Sequence, residues 1–218
     1  MNVMKGTAIA LGVAAITASA QAGVVIINTT DRGWYDDAGF HDPANGNYGV
    51  GNAGRLTVRN WFVFDLSIID VEIVALQLRA LNPEGGFFSG DAFETYVNYD
   101  VTTNLNDLIN GLGGLPAYDD LGSGTVYASY DASNSDNGTI IVIDLNAAAV
   151  ADANVAAGGL WGIGGAITTL NGGDEYLFGG TTGGNNADTQ LVVTLIPAPG
   201  VLALLGLAGL VGPTRRRE

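Results

Sequence analysis

The chain has 218 residues, 33 glycines, no cysteine and a formal net charge of −14. A length of this order suits one domain with processed ends, and a hydrophobic content of 47% is too high for a disordered protein. The absence of cysteine excludes disulfides, thiolate metal sites and cysteine nucleophiles. The acidic balance disfavours nucleic-acid binding, because that affinity comes mostly from Lys and Arg.

The basic residues are concentrated at the two ends of the chain. Lys5 is the single lysine, and Arg215, Arg216 and Arg217 are three of the seven arginines. Residues 23–196 contain four arginines and 21 of the 22 acidic residues, so their formal net charge is −17. An acidic body therefore lies between two basic tips.

Residues 1–22 have the pattern of a secretory signal peptide. Lys5 provides the positive start, residues 8–16 form a short apolar segment, and A-x-A cleavage sites end at Ala20 and Ala22. This pattern predicts export through the Sec translocon, removal of residues 1–22 by signal peptidase, and a mature body that begins at Gly23.

Residues 197–218 have three parts in a fixed order. Pro197, Ala198, Pro199 and Gly200 form a box that breaks the preceding strand, residues 201–211 form an uncharged apolar run, and Arg215, Arg216 and Arg217 follow it. A cationic cluster after an apolar run is retained on the cytoplasmic side of a membrane. The pattern therefore predicts a short transmembrane helix.

This tail resembles the PEP-CTERM sorting signal of Gram-negative bacteria, with Ala198 where the family name implies Glu. The resemblance implies an exosortase-type enzyme of the inner membrane that recognises the box and processes the tail. The body would then be anchored transiently in the inner membrane and released to the cell surface or extracellular matrix. The alternative is a plain C-terminal anchor that is never cut.

Between Gly23 and Ile196, short β-forming runs alternate with clusters of Gly, Asn and Asp, which predicts a single β-sandwich, jelly-roll-like and mainly β. In residues 59–66, alternation places Phe62, Phe64 and Leu66 on one face. The other predicted strands are residues 24–27, 74–80, 94–101, 125–130, 139–145, 160–170, 175–178 and 189–196.

Two short helices are predicted. Residues 104–110 carry Leu105, Leu108 and Ile109 at helical spacing, and Asn146 can cap a helix at residues 147–157. Asn137-Gly138 predicts a tight hairpin turn between residues 125–130 and 139–145, because such turns need residues with positive φ.

Residues 47–80 resemble DNRLRE-type β-sandwich modules of secreted bacterial proteins. The resemblance rests on Asn47-Tyr48-Gly49, on Arg59 with Phe64-Asp65-Leu66-Ser67, and on Ala75-Leu76-Gln77-Leu78, in that order. It implies an association with polysaccharide.

The body offers little for catalysis, and we predict that the protein is not an enzyme. His41 is the single histidine, and neither a nucleophile elbow nor a P-loop is present. The adjacent acidic pairs Asp36-Asp37, Asp119-Asp120 and Asp174-Glu175 leave open a glycosidase, which needs two carboxylates. We attribute these pairs to the high acidic content, and we expect no cofactor beyond a structural ion.

Structural calcium is the ion that the loops favour, since Ca²⁺ prefers carboxylate and carbonyl oxygens. The candidate ligands are Asp36 and Asp37 in one segment and Asp174 and Asp188 in another. The alternative is that these residues serve turns and solubility.

Three aromatic residues suggest a sugar-binding surface. Trp34, Tyr35 and Tyr48 lie in a polar, Gly-rich region that we expect to be loop, and exposed rings stack on the apolar faces of sugars. The alternative is that these rings close the end of the sandwich.

Together these patterns predict an exported, non-enzymatic protein of the cell surface or exopolysaccharide matrix. A secreted carbohydrate-binding module is the first alternative, and an adhesive or ice-binding surface protein is the second.

Overall fold

The computed structural model describes residues 23–54, 56–181 and 185–196. The predicted signal peptide and the predicted sorting tail, with Pro197, Ala198, Pro199, Gly200, Arg215, Arg216 and Arg217, lie outside the described residues. Among the residues that are described, no helix is long and apolar enough to cross a membrane.

The body is mainly β, as its sequence predicts. In chain order the strands are β1 (Gly23–Asp36), β2 (Val50–Ala53), β3 (Leu56–Asp65), β4 (Ile73–Asn82), β5 (Glu94–Asp100), β6 (Val126–Ala132), β7 (Thr139–Leu145), β8 (Leu160–Ile167), β9 (Glu175–Leu177) and β10 (Thr189–Leu195). The helices are α1 (Leu105–Ile109), α2 (Gly114–Asp120) and α3 (Ala147–Ala156). Short 3₁₀ turns cover Asn134–Asp136 and Asn186–Asp188.

The long strand β1 joins two antiparallel sheets. Residues 23–28 pair with β10, and residues 29–36 pair with β3, with a register shift between Thr29 and Asp31. The full order is β6-β5-β8-β3-β1-β10-β4-β7, and β2 pairs with β3 and β9. The two end strands approach each other where Asn146, just after β7, donates its N–H to the Tyr127 carbonyl of β6 (2.9 Å). The sheet is therefore nearly closed, like a sandwich or barrel.

The main core lies between the inner faces of this sheet. As alternation predicts, Phe62, Phe64 and Leu66 are buried together, and they meet the inward residues of β4 and β10, namely Leu76, Leu78, Ala80, Leu191 and Val193. The other face of β3 is buried as well, because α1 and α2 pack on it. That second cluster contains Tyr35, Trp61, Val63, Leu108, Ala117 and Leu121.

Asparagine caps begin two of the helices, and the cap at Asn146 was predicted. The Asn104 side chain accepts from the N–H groups of Asn106 and Asp107 at the start of α1. The Asn146 side chain accepts from Ala148 and Ala149 at the start of α3. These bonds satisfy backbone donors that have no partner inside a helix.

Two predictions about the fold are wrong. The body has a third helix, α2, where two were expected. Residues 125–130 and 139–145 do not form a hairpin, because β6 pairs with β5 and β7 pairs with β4. Gly138 has a positive φ of 73°, but Asn137 has an ordinary φ of −62°, so the turn lacks the geometry that fits a tight hairpin.

Candidate functional site

Trp34 lines an open cleft at one end of the sheets. It lies in β1 opposite Asn60 of β3 and is half-buried. The cleft has a volume of about 530 Å³, within the range of small-molecule binding sites. Its other lining residues include Leu56, which begins β3, and Glu84, which follows the end of β4. Tyr176 of β9 provides a second aromatic lining residue, and we call the site the Trp34–Tyr176 cleft.

The ring of Tyr176 is held in place by its neighbours. Phe88 stacks on it, with ring centres 5.6 Å apart and planes 19° apart. The two residues also exchange backbone hydrogen bonds, from the Phe88 N–H (3.0 Å) and from the Tyr176 N–H (2.8 Å). Because the Tyr176 ring is already fixed, it would lose little conformational entropy when a ligand binds.

Asn47, Glu84 and glycines provide the polar part of the cleft. The Asn47 side-chain oxygen accepts from the Gly49 N–H (2.8 Å) and the Thr181 hydroxyl (2.7 Å), so it is fixed in orientation. Glu84 is exposed. The lining glycines, Gly49, Gly85, Gly179 and Gly180, leave backbone accessible to a ligand because they have no side chain.

Backbone strain is located beside this cleft. Phe178 has a φ of 58°, and among the described residues it is the one non-glycine with positive φ. Its ring is fully buried and packs near Tyr48 and Tyr96, with centres 5.5 and 5.7 Å away. Its N–H donates to the Asn82 side chain (3.0 Å). This packing holds the strained residue, which leads directly into Gly179 and Gly180, and strain of this kind is concentrated at functional sites.

Tyr35 and Tyr48 are not sugar-binding residues, because both are fully buried. Tyr35 follows Trp34 in β1, so its side chain points to the opposite face, where its hydroxyl donates to the Leu108 carbonyl (2.8 Å). The Tyr48 hydroxyl donates to the Leu81 carbonyl (2.8 Å). Burial raises the pKa of both phenols. Trp34 and Tyr35 lie in a strand, where a loop was expected.

The four acids predicted as calcium ligands do not form a cluster in the described part of the chain. Asp36 accepts from the N–H groups of Ala38 and Phe40 and so stabilises its own turn. Asp174 accepts from the Gly54 N–H (2.7 Å). Asp188 faces the buried Arg32 guanidinium at 3.9 Å, and Asp37 is exposed.

A different acidic group, Asp91, Glu94 and Glu175, comes together within the described residues. Each offers a carboxylate oxygen, and these atoms lie within 4.8 Å of one another. Glu94 is bonded by the hydroxyls of Ser89 and Thr169. Glu175 accepts from the Asn171 N–H (2.7 Å). These three are the residues that could hold a hard cation. Sequence gives no sign of this arrangement because β5 and β9 are far apart along the chain.

His41 is a core residue outside the cleft. Its ring packs between Tyr35 and Trp61, with centres 5.1 and 5.4 Å away, and its Nδ1 lies 2.9 Å from the Trp34 carbonyl. Burial lowers the pKa of His41. The acidic pair Asp119-Asp120 is partly used by structure too, since Asp120 accepts from Thr102 and Thr103.

Of the residues that line the cleft, the sequence analysis proposed Trp34 for sugar binding but did not propose Asn47, Glu84 or Tyr176. Residues 175–178 were predicted as a strand, yet nothing local shows that this strand pairs with β2. The chain matches no known family model, and a search of curated proteins found no match either.

Proposed function

We propose that this chain is an exported, non-enzymatic protein of the cell surface or exopolysaccharide matrix, with a jelly-roll-like sandwich as its body. The observation that carries the proposal is the three-part order of residues 197–218, with the pattern of residues 1–22 as its complement. The resemblance to PEP-CTERM tails adds an exosortase-type partner and a transient stage in the inner membrane. The lysine-free, acidic body supports solubility outside the cell.

Mass spectrometry of the released protein tests the sorting proposal. We expect a C-terminus near Pro197 or Pro199 and the loss of Arg215, Arg216 and Arg217. Substituting Pro197→Ala together with Pro199→Ala should abolish release, whereas Pro213→Ala, a matched change beyond the apolar run, should leave it intact. Released protein that still carries the three arginines would refute processing.

The Trp34–Tyr176 cleft favours carbohydrate binding as a second candidate function. Two aromatic residues suit the flat apolar faces of sugar rings, and the fixed Asn47 amide and the Glu84 carboxylate suit their hydroxyls. The open form of the cleft suits an internal segment of a polysaccharide. The expectation from the DNRLRE resemblance agrees with this function.

Affinity electrophoresis against matrix polysaccharides tests this candidate. We expect at least one glycan to retard the wild-type chain. Trp34→Ala or Tyr176→Ala should raise the dissociation constant for that glycan about tenfold or more, as for a hot-spot aromatic. Phe40→Ala is the matched control, because Phe40 is 58% exposed and does not line the cleft. Equal effects of all three changes, or no retardation by any glycan, would contradict the proposal.

A further inference from the structure

The last described residue leaves the body at the opposite end from the Trp34–Tyr176 cleft. Ile196 follows β10 directly, and its N–H donates to the Glu72 carbonyl (2.8 Å). Glu72 belongs to the loop that enters β4 at Ile73. The cleft lies beyond the other end of the same strand, where Glu84 and Gly85 follow Asn82. A strand of ten residues is roughly 30 Å long at about 3.3 Å per residue.

Large apolar side chains are exposed around this exit point. Ile68 is 67% exposed, Val71 42%, Val74 46% and Ile196 43%. We call these four residues the exit patch. Two of them lie in the loop between β3 and β4, one lies in β4, and one directly follows β10. A group of exposed apolar side chains marks an interaction surface especially when polar residues adjoin it. Asp65, at the end of β3, and Asp70 and Glu72, in the loop, are exposed and lie near patch residues in sequence, and we call them the acidic rim.

The length of chain that follows the patch indicates what covers it. Only residues 197–200 separate Ile196 from the apolar run 201–211. Four residues span at most about 14 Å when fully extended. If the run is inserted in a bilayer, as the proposed function requires, the end of the body with Ile196 is held within that distance of the membrane surface.

We propose that the exit patch contacts the bilayer interface while the tail is still attached. The inference rests on the proposed membrane stage of sorting. Because the tail holds the body at the surface, the effective concentration of the patch at the interface is high, and a weak contact is sufficient to populate the docked state. The acidic rim is repelled by anionic lipid, so the surface that fits is a zwitterionic one.

Docking by this end orients the cleft. The strands β3 and β4 run between the two ends of the body, so a bilayer against the exit patch leaves Leu56, Glu84 and Gly85 on the far side. The cleft is then open to the matrix before the tail is cut. Ligand binding and anchoring are compatible for this geometric reason.

Single-cysteine labelling tests the proposal cleanly, because the chain has no cysteine. The full chain would carry Ile68→Cys or Val71→Cys, labelled with an environment-sensitive fluorophore, in vesicles of phosphatidylcholine and phosphatidylethanolamine. The matched control is Leu56→Cys, at the cleft end, where the side chain is 45% exposed. A separate variant, Leu205→Cys, reports whether the apolar run is inserted.

We expect the labels at 68 and 71 to shift to shorter emission wavelength and to be quenched by lipid-borne spin probes, while the label at 56 stays unquenched. An inserted Leu205→Cys label combined with equal signals at 68, 71 and 56 would overturn the docking proposal and leave anchoring intact. A label at 205 that remains in water would overturn the anchoring itself, and docking with it. Circular dichroism of each variant confirms that the body is folded.

Discussion

The guanidinium carbon of Arg32 lies 4.6 Å from the centre of the Tyr48 ring, and both side chains are buried in the protein. Arg32 also donates from Nε to the Gly46 carbonyl (3.1 Å) and from Nη1 to the Thr189 hydroxyl (3.0 Å). It therefore connects β1 to β10 and to the segment before the cleft. Burial lowers the pKa of Arg32, while Asp188 opposes that shift.

Replacing Arg32 tests how much this connection stabilises the body. Removing a hydrogen-bonded buried cation leaves its partners without a donor and opens a cavity, so we expect Arg32→Ala to lower the free energy of unfolding by about 3 kcal/mol. Arg79→Ala is the matched control, since Arg79 is only partly buried and bonds to Gln77 within its own strand. We expect it to cost within about 0.5 kcal/mol. Urea unfolding followed by Trp fluorescence measures both, and equal losses would contradict the prediction.

Gly165 and Gly158 are required for different reasons, the first because a side chain would not fit and the second because of its backbone conformation. A side chain at Gly165 would meet the Tyr96 hydroxyl and the Asn60 side-chain oxygen, which are joined by a buried hydrogen bond of 2.9 Å. Gly158 has a φ of 86° and open space around it. We expect Gly165→Ala to cost about 3 kcal/mol by overpacking and loss of the buried bond. We expect Gly158→Ala to cost about 1 kcal/mol through its backbone alone. Urea midpoints measure both, and the reverse order would show that the buried bond contributes little.

The pH dependence of stability should contain a contribution from His41. In the unfolded chain this imidazole takes up a proton near its ordinary pKa of about 6.5, whereas burial lowers its pKa in the folded protein. The unfolded state therefore binds more protons between the two pKa values. The stabilisation is complete above the unfolded pKa and is lost as the pH falls through the interval towards the folded pKa.

We accordingly expect the free energy of unfolding to be lower at about pH 5.5 than at about pH 7.5. His41→Gln should reduce this difference, and the part that remains belongs to carboxylates common to both proteins. Because His41 is the sole histidine, a single imidazole NMR signal reports its titration directly. A midpoint above that of a free imidazole would contradict the prediction.

The sequence predicts well what depends on neighbouring residues and poorly what depends on distant pairings. Alternation in β3 correctly places Phe62 and Phe64 in the core. Alternation also puts Trp61 on the opposite face of β3, but it cannot show that α1 and α2 cover that face and bury the ring. The apolar spacing of residues 104–110 indicates a helix but cannot show which surface it packs on.

The candidate site follows the same rule. Trp34 lines the cleft, but its neighbour Tyr35 necessarily points to the other face of the strand. Tyr176 reaches the cleft only because β9 pairs with β2. The four residues of β2, Val-Gly-Asn-Ala, contain too few β-formers to be recognised as a strand.

The free edge of β7 predicts a site of self-association. β7 is at one end of the sheet order. Although the chain just after it approaches β6 through the Asn146–Tyr127 bond, β7 itself pairs only with β4 among the described residues. Its outward residues include Ile140, 60% exposed, and Val142, 44% exposed. Exposed apolar edge strands pair readily with other chains, and a lysine on the edge blocks that pairing.

We expect Ile140→Lys to lower concentration-dependent light scattering while changing the free energy of unfolding by no more than about 0.5 kcal/mol. Val155→Lys is the matched control, because Val155 is 88% exposed on α3 and has no strand edge. Both changes add one positive charge and reduce the net charge of the acidic body, which by itself weakens mutual repulsion. A decrease with Ile140→Lys alone therefore identifies the β7 edge as the contact. A similar decrease with Val155→Lys would place the self-association elsewhere.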